Sequence, residues 1–479
     1  MRFNSLSYFL FLPIVYLIFY FVADRWRWLV LLTASYVFYA SLKVPYLLIV
    51  LLMVTGISYT CGLRIASQHD DAVRKRWLWS GSFACVAILG LLKYFPFFES
   101  SVNFFFGLNS TLSSAVVSIG VSFFTFQAIS YLADIYLEIE EPEHHVGHYA
   151  LYLAFFPKLL QGPIERGCDL LPQLKKTYQF DYDAIRSGLL LFTWGLFKKV
   201  VLADRMSLYA DKVYSHVHDY TGLSLVLGTY AYAMQIYFDF AGYTDMARGS
   251  GRIFGINLTD NFNSPYSATS IADFWRRWHI SFSRWILDYI FKPLQIGWRD
   301  FGQSGTAAAL LITFLVSGIW HGATWGFVIW GLLHGIYLAA STYYRPYQKK
   351  LHKRLGIEKS RWLKSWQVFI TFNLVSLAWV FFRAENLADA RYVVSNLFNG
   401  VKGLRSGLLF SQGEMELALT MTSVTAYLIV TVLYFKNQST SYFYSKTALF
   451  RYTAYSALLI AIFLLGSYSA AKTFIYSQF

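Results

Sequence analysis

The sequence predicts an all-α integral membrane protein of many passes, and three observations carry the prediction. Of 479 residues, 56% are hydrophobic and 20% aromatic, but only 14% are charged, where a soluble globular chain carries about a quarter. Apolar runs long enough to cross a hydrocarbon core, which takes ~20 residues of helix, recur from Leu6 to the C-terminus, so a soluble domain on a single anchor is excluded. Lys and Arg gather between these runs. That placement sets the orientation of spans and meets anionic headgroups, so the formal charge of +14 points to membrane lipids and not to nucleic acid.

The predicted spans are residues 6–22, 28–42, 46–62, 77–94, 116–136, 187–203, 223–242, 306–320, 323–342, 362–382, 417–434 and 452–471, about 11–12 crossings if some dip in without passing through. The first run lacks a basic start beyond Arg2 and a small-residue cleavage site before Asp24, so it reads as a retained helix and not a signal peptide. Arg25 and Arg27 follow it, and Arg64, Arg74, Lys75 and Arg76 follow the third run, whereas the connection 95–117 holds neither Lys nor Arg. By the positive-inside rule the N-terminus lies outside, and 63–76, 164–186 and 343–361 face the cytoplasm. The segment 384–416 falls outside on this count despite Arg391, Lys402 and Arg405. Cys61, Cys85 and Cys168 are far apart and form no CxxC pair, which argues against a disulfide framework or a zinc site. Regions 144–170 and 243–303 are too polar to span and too aromatic for ordinary loops. They are expected to be re-entrant or interfacial elements inside the bundle.

An ionisable group inside an apolar run is costly, and the clearest case is His321 in Ser317-Gly318-Ile319-Trp320-His321-Gly322-Ala323. The flanking runs place it at a turn or break between two helices, away from the cytoplasmic surface. Such a histidine either caps carbonyls at the break or, as a neutral imidazole, takes a proton from an alcohol or thiol; spacing alone favours the first. In 274–285, read as one helix at the cytoplasmic interface, Trp275, Trp278, Phe282, Trp285 and Tyr289 form an aromatic stripe. His279 adjoins that stripe, and Asp273 stands four residues before Arg277. The stretch is either a headgroup anchor or a site where Arg276 and Arg277 meet the phosphates of a cytosolic donor such as a coenzyme A thioester.

Asp239 ends an apolar run in Gln235-Ile236-Tyr237-Phe238-Asp239-Phe240-Ala241-Gly242-Tyr243-Thr244-Asp245. A buried carboxylate has a partner, here expected from an arginine of 276–284, with Gly242 ending the helix. Structural pairing is the expected role of Asp239 and Asp245. Pro157, Gly162 and Pro163 around Gln161 break any helix and suit either a re-entrant element lining a cavity or a plain loop. His144, His145 and His148 lack diagnostic metal spacing, and His334 reads as a core histidine with one hydrogen bond. No GxSxG, Walker, HExxH or GxGxxG motif is present.

In order, Phe11-Leu12-Pro13, Ser118 to Phe123 through Asp134-Ile135-Tyr136, Phe155-Phe156-Pro157 with Gln161-Gly162-Pro163, Tyr237 to Ala247, Asn261-Phe262-Asn263-Ser264-Pro265-Tyr266, Phe274-Trp275-Arg276-Arg277-Trp278-His279-Ile280-Ser281 and Trp320-His321-Gly322 resemble the membrane-bound O-acyltransferase family. Within it they resemble the branch of bacterial alginate O-acetyltransferase membrane subunits and peptidoglycan-acetylating relatives. The resemblance implies one domain over 1–479, with a motif-bearing core at about 115–340 and peripheral helices at 1–114 and 360–475. It also implies a ring or funnel of tilted helices around a central tunnel, in a bacterial inner membrane.

The family's invariant histidine falls on His321, and its second important polar position falls on His279. His321 would be the general base that activates an acceptor hydroxyl against an acyl thioester. His279 or nearby donors would position the donor or hold the oxyanion. Asp239, Trp275, Arg276, Arg277, Trp278, Trp320 and Gln161 are the implied substrate-binding positions, with no metal. Acetyl-CoA is the implied donor substrate, with no permanently bound cofactor, and an extracytoplasmic enzyme is the implied partner. One departure from relatives is Lys292-Pro293-Leu294-Gln295-Ile296-Gly297-Trp298 in place of a Gly-Gly-Asn turn, which bears on the acceptor more than on the chemistry. The rival readings are a transporter or flippase, and acylation of a lipid or secreted protein.

Overall fold

The computed structural model describes residues 1–106, 119–322, 324–404, 409, 413–437, 447–467 and 474. Ser118, Ala323, Arg405, residues 107–117 of the connection without Lys or Arg, and the end of the run 452–471 lie outside the described residues. The described chain is helical, and among the described residues the sole β pairing is an isolated antiparallel bridge between Phe262 and Trp278.

The helices are α1 (Leu6–Phe21), α2 (Asp24–Ala40), α3 (Pro45–Ser67), α4 (Asp71–Phe106), α5 (Val121–Tyr136), α6 (Val146–Ala154), α7 (Gly167–Lys175), α8 (Tyr182–Phe197), α9 (Asp204–Tyr214) and α10 (Leu223–Ile253). They continue with α11 (Ile271–Trp275), α12 (Ile280–Ile286), α13 (Lys292–Gly297), α14 (Gly302–His321), α15 (Trp325–Arg354), α16 (Arg361–Arg383), α17 (Leu387–Asn396), α18 (Glu414–Asn437) and α19 (Ala448–Leu465). Their starts follow local chemistry. Ser5 accepts the Tyr8 N–H at α1, Pro45 opens α3, and Asp181 accepts from the Asp183 and Ala184 N–H groups at 2.9 and 3.1 Å to start α8.

Among the described residues six helices are long and apolar enough to cross a membrane: Pro45–Ser67, Asp71–Tyr94, Arg299–His321, Trp325–Arg354, Arg361–Arg383 and Ala448–Leu465. The predicted runs 28–42, 187–203 and 223–242, and residues 121–136 of the predicted run 116–136, also fall on helical segments that are shorter or more polar than these six, and the run 417–434 falls on α18. The outer surface is apolar: Leu6, Leu10, Ile14, Leu17 and Phe21 are all exposed along α1 at steps of three and four. Water would oppose that stripe, and lipid accepts it.

Lipid supplies little hydrophobic drive for helices to associate, so their contact depends on close packing. α8 lies against α10, with Gly188 and Gly195 facing Gly249 and Gly242. A Cβ on Gly195 would come within 2.5 Å of the Gly242 carbonyl, and one on Gly249 within 2.6 Å of the Gly188 carbonyl. Gly242 therefore does not end the helix, as its residue type suggested; α10 runs through it, because glycine there admits the neighbouring backbone. α14 and α15 meet in the same way, and a Cβ on Gly331 would sit 3.0 Å from the Gly318 Cα. Gly331→Val is expected to force α15 off α14 at a cost of about 3 kcal/mol or more, seen as loss of monodisperse protein and a lower unfolding temperature in detergent. Gly297→Val, where a Cβ meets nothing within 4 Å, is expected to behave as wild type.

Candidate active site

α14 ends at His321, and the chain passes through Gly322 before α15 starts at Trp325. The predicted break is therefore present. A Cβ on Gly322 would meet the Phe327 ring at 2.6 Å, so glycine lets that ring close over the turn. The buried His321 imidazole is walled by aromatic rings, with centroids at 4.6 Å for Trp320, 4.9 Å for Trp330, 5.0 Å for Phe382 and 6.3 Å for Phe282. Phe282 also stacks on Trp320 at 4.6 Å and lies 5.1 Å from the His279 ring. His279, Trp320 and His321 thus share one aromatic pocket.

The single helix expected over 274–285 is not formed. α11 stops at Trp275, and His279 takes a left-handed conformation with φ of 43° before α12 begins. The cause is pairing with 261–263: Ile280 N–H donates to Asn261 O at 3.0 Å, and Asn263 N–H donates to Arg277 O at 2.9 Å. The stripe is real but buried, since Trp275, Trp278, Phe282 and Trp285 are each at most 6% exposed; these rings build the core and are not presented to headgroups. A non-glycine residue at positive φ costs on the order of 1–3 kcal/mol and marks a conformation imposed by its surroundings.

The same pairing fixes the chemistry of His279. Asn261 Oδ1 accepts from the Ser281 N–H at 3.0 Å and the Ser281 hydroxyl at 2.8 Å, and lies 3.2 Å from His279 Nδ1. A backbone N–H can only donate, so the Asn261 atom is the oxygen, and His279 Nδ1 must carry the proton that reaches it. In the neutral ring Nε2 is then an acceptor. The Ile164 N–H donates to Ser281 Oγ at 3.0 Å, which ties this chain to the segment after Gln161.

Other residues read from sequence fall elsewhere. Asp239 does not pair with an arginine of 276–284. It binds Lys199 at 2.5 Å, and Lys199 also binds Asp204 at 2.9 Å. Asp245 binds Lys198 at 2.6 Å. Both lysines lie in a π-helical turn, Lys198–Ala203, and α10 places its carboxylates opposite that turn, nearer than any arginine. Arg277 does bind Asp273, at 2.9 Å, as the spacing predicted, while Arg276 is exposed. Trp275 donates its indole N–H to His334 at 3.2 Å, the one bond expected for that core histidine. Trp278 and Trp379 pack at 5.2 Å, and Trp379 stacks on Trp330 at 5.7 Å, one layer behind His321.

Gln161 is buried in the turn between α6 and α7 and forms no side-chain hydrogen bond among the described residues. The buried Lys158 of that turn donates to the Leu153 carbonyl in the last turn of α6 at 3.3 Å and to the Gln127 side chain. His145 caps α6 by accepting the His148 N–H at 3.2 Å. Among the described residues no group of three or more His, Cys, Asp or Glu side chains converges to hold a metal. Asn261, Trp330, Trp379 and Phe382 were missed as neighbours of the histidines. Asn261 lay in a noted motif; the others carry only the signature of apolar spans.

The described chain is a helical membrane protein whose core holds one buried histidine at a helix break and a second fixed by asparagine. The chain belongs to the membrane-bound O-acyltransferase (MBOAT) family, whose pattern matches residues 140–382, and it is an acyltransferase. It is 38% identical over 402 residues to the peptidoglycan O-acetyltransferase of Helicobacter pylori, covering 78% of this chain and 74% of that one. It is 38% identical over 403 residues to the probable alginate O-acetylase AlgI of Pseudomonas aeruginosa, covering 83% and 74%. A teichoic acid D-alanyltransferase of Bacillus subtilis is 28% identical over 277 residues, covering 56% and 69%.

Asn261→Leu is expected to leave two buried donors on Ser281 unmatched at ~1–3 kcal/mol each, lowering the unfolding temperature and acyl-transfer activity together. Asn263→Ala, at an exposed side chain, is expected to change neither. Lys199→Met leaves two carboxylates in the core and is expected to destabilise the fold by about 3–5 kcal/mol, read as a lower unfolding temperature in detergent.

Proposed function

We propose that the protein takes an acetyl group from cytosolic acetyl-CoA and passes it across the membrane to an extracytoplasmic acceptor or partner enzyme, for O-acetylation of an alginate-like exopolysaccharide or of peptidoglycan. The observation that carries this reading is the buried His321 at the break between α14 and α15, inside an aromatic wall that also holds His279. The names of the most similar relatives support the acceptor class.

His321 is the general base. As the acceptor hydroxyl attacks the thioester carbonyl, the imidazole takes its proton and later returns it to the departing thiolate. His279, held with its proton on Nδ1, offers Nε2 as an acceptor that orients a donor amide or the acceptor hydroxyl. The aromatic wall excludes water, which limits hydrolysis of the thioester. Arg276 and Arg277 stand toward the donor's phosphates, and Trp275, Trp278 and Trp320 shape the pocket.

His321→Ala is expected to lower acetyl transfer by ~10²–10⁴-fold with the unfolding temperature unchanged. The measurement is radiolabelled acetyl transfer from acetyl-CoA in proteoliposomes, with polymer-bound acetate counted in a deletion strain carrying each variant. Turnover equal to wild type would remove His321 from the mechanism.

A further inference from the structure

We propose that Lys93 and the indole N–H of Trp320 together form the oxyanion site, holding the thioester carbonyl oxygen as negative charge develops on it. This inference rests on the acyltransfer reading above and adds a residue outside the matched family region, which begins at residue 140. Lys93 lies one residue before the end of the membrane-crossing segment Asp71–Tyr94, and His321 ends the segment Arg299–His321. The two segments are of nearly equal length, and a hydrogen bond between Tyr94 and Ile319 sets Lys93 level with His321. α4 is fastened there: the Tyr94 hydroxyl donates to the Ile319 carbonyl, and Lys93 Nζ lies 5.1 Å from the centroid of the Trp320 ring. That ring is 4.6 Å from His321.

Among the described residues these donors have no acceptor. Lys93 forms no ion pair and no hydrogen bond among the described residues, although an ammonium in an apolar span ordinarily finds one. Among the described residues Trp320 Nε1 is buried with no hydrogen-bond partner. Ammonium and indole N–H groups can only donate, so their complement is an acceptor that arrives with the substrate. His279 does not fill the role, because its Nδ1 proton is committed to Asn261 and its Nε2 accepts.

In the step, the acceptor oxygen bonds to the carbonyl carbon, the C=O π pair moves onto oxygen between Lys93 and Trp320, and the hydroxyl proton goes to His321. The pair then returns, the C–S bond breaks, and the thiolate takes the proton from His321. The products are an ester and a free thiol.

The test compares wild type, His321→Ala, Lys93→Met, Lys93→Arg and Trp320→Phe in proteoliposomes. It reads thiol release from acetyl-CoA and the affinity for S-propyl-coenzyme A, a thioether that lacks the carbonyl. Lys93→Met is expected to lower kcat by ~10²–10³-fold, with KM and thioether affinity within about twofold of wild type. Lys93→Arg is expected to recover to within about tenfold of wild type, and Trp320→Phe, which keeps the ring and deletes the N–H, to lose about tenfold. If Lys93→Met does not fold, Trp320→Phe at the wild-type rate overturns the site. Lys93→Met at the wild-type rate, or a thioether affinity that falls as far as its kcat, overturns it alone while His321→Ala stays inactive. A wild type that releases no thiol overturns the proposed function as well.

Discussion

The seam between α14 and α15 sets where everything else in the pocket stands. Gly318 and Gly331 bring the two backbones together with no side chain between them. α14 can therefore end at His321 and α15 restart at Trp325 without opening a gap. The register of that contact puts Trp330 and Phe327 against His321 from α15, and α16 adds Phe382. A side chain in the seam would change the tilt of both helices and move the imidazole relative to every ring around it. The pairs Gly188–Gly249 and Gly195–Gly242 do the same for α8 and α10. Where hydrophobic drive is weak between helices, small residues are what make such contacts specific.

Close contact also decides how the interior tolerates charge. α10 carries Asp239 and Asp245 through its buried length, and α8 runs into a π turn opposite them. The wider turn lets consecutive lysines diverge, so Lys198 reaches Asp245 while Lys199 reaches Asp239 and Asp204. Each charge has its complement in a low-dielectric setting, where loss of one partner is far costlier than the pair is stabilising. The Asn261 chain follows the same rule with neutral groups. Ile164, Ser281 and His279 all direct protons along one line that ends on a single oxygen. That line holds His279 in a strained backbone conformation and selects its tautomer.

The membrane class, the break at His321 and the pairing of Arg277 with Asp273 were legible in the sequence, because each rests on local pattern: hydropathy, flanking glycine, or a spacing of four. The partners of Asp239 and the end of α10 were not. Whether Gly242 stops a helix or admits another depends on α8, some 50 residues away in the chain, and nothing near Gly242 reports it. The break at His279 was hidden for a related reason. Residues 274–285 have a good helical stripe, and only the antiparallel pairing with 261–263 and the side chain of Asn261 overrule it. The stripe still predicted burial correctly, since bulky rings at helical spacing bury themselves whether or not the helix is continuous. Lys93 left a signal that went unread, a lone lysine inside the run 77–94.

Lys199 and Lys93 make the energetic case by contrast. Lys199 has two carboxylates within 2.9 Å, and its charge is matched in the resting fold. Lys93 has the face of Trp320 at 5.1 Å, and a cation over an aromatic face gains about 2 kcal/mol when desolvated. Removing an ammonium from water costs several kcal/mol even after relaxation, so the ring alone does not offset the placement. A fold that gives Lys198 and Lys199 carboxylates and Lys158 hydrogen-bond acceptors, yet leaves this one facing a ring beside His321, has a remaining electrostatic demand at that point. An oxygen that becomes negative during the reaction meets it, and meets it more strongly in the transition state than in the bound substrate. That difference is what lowers a barrier.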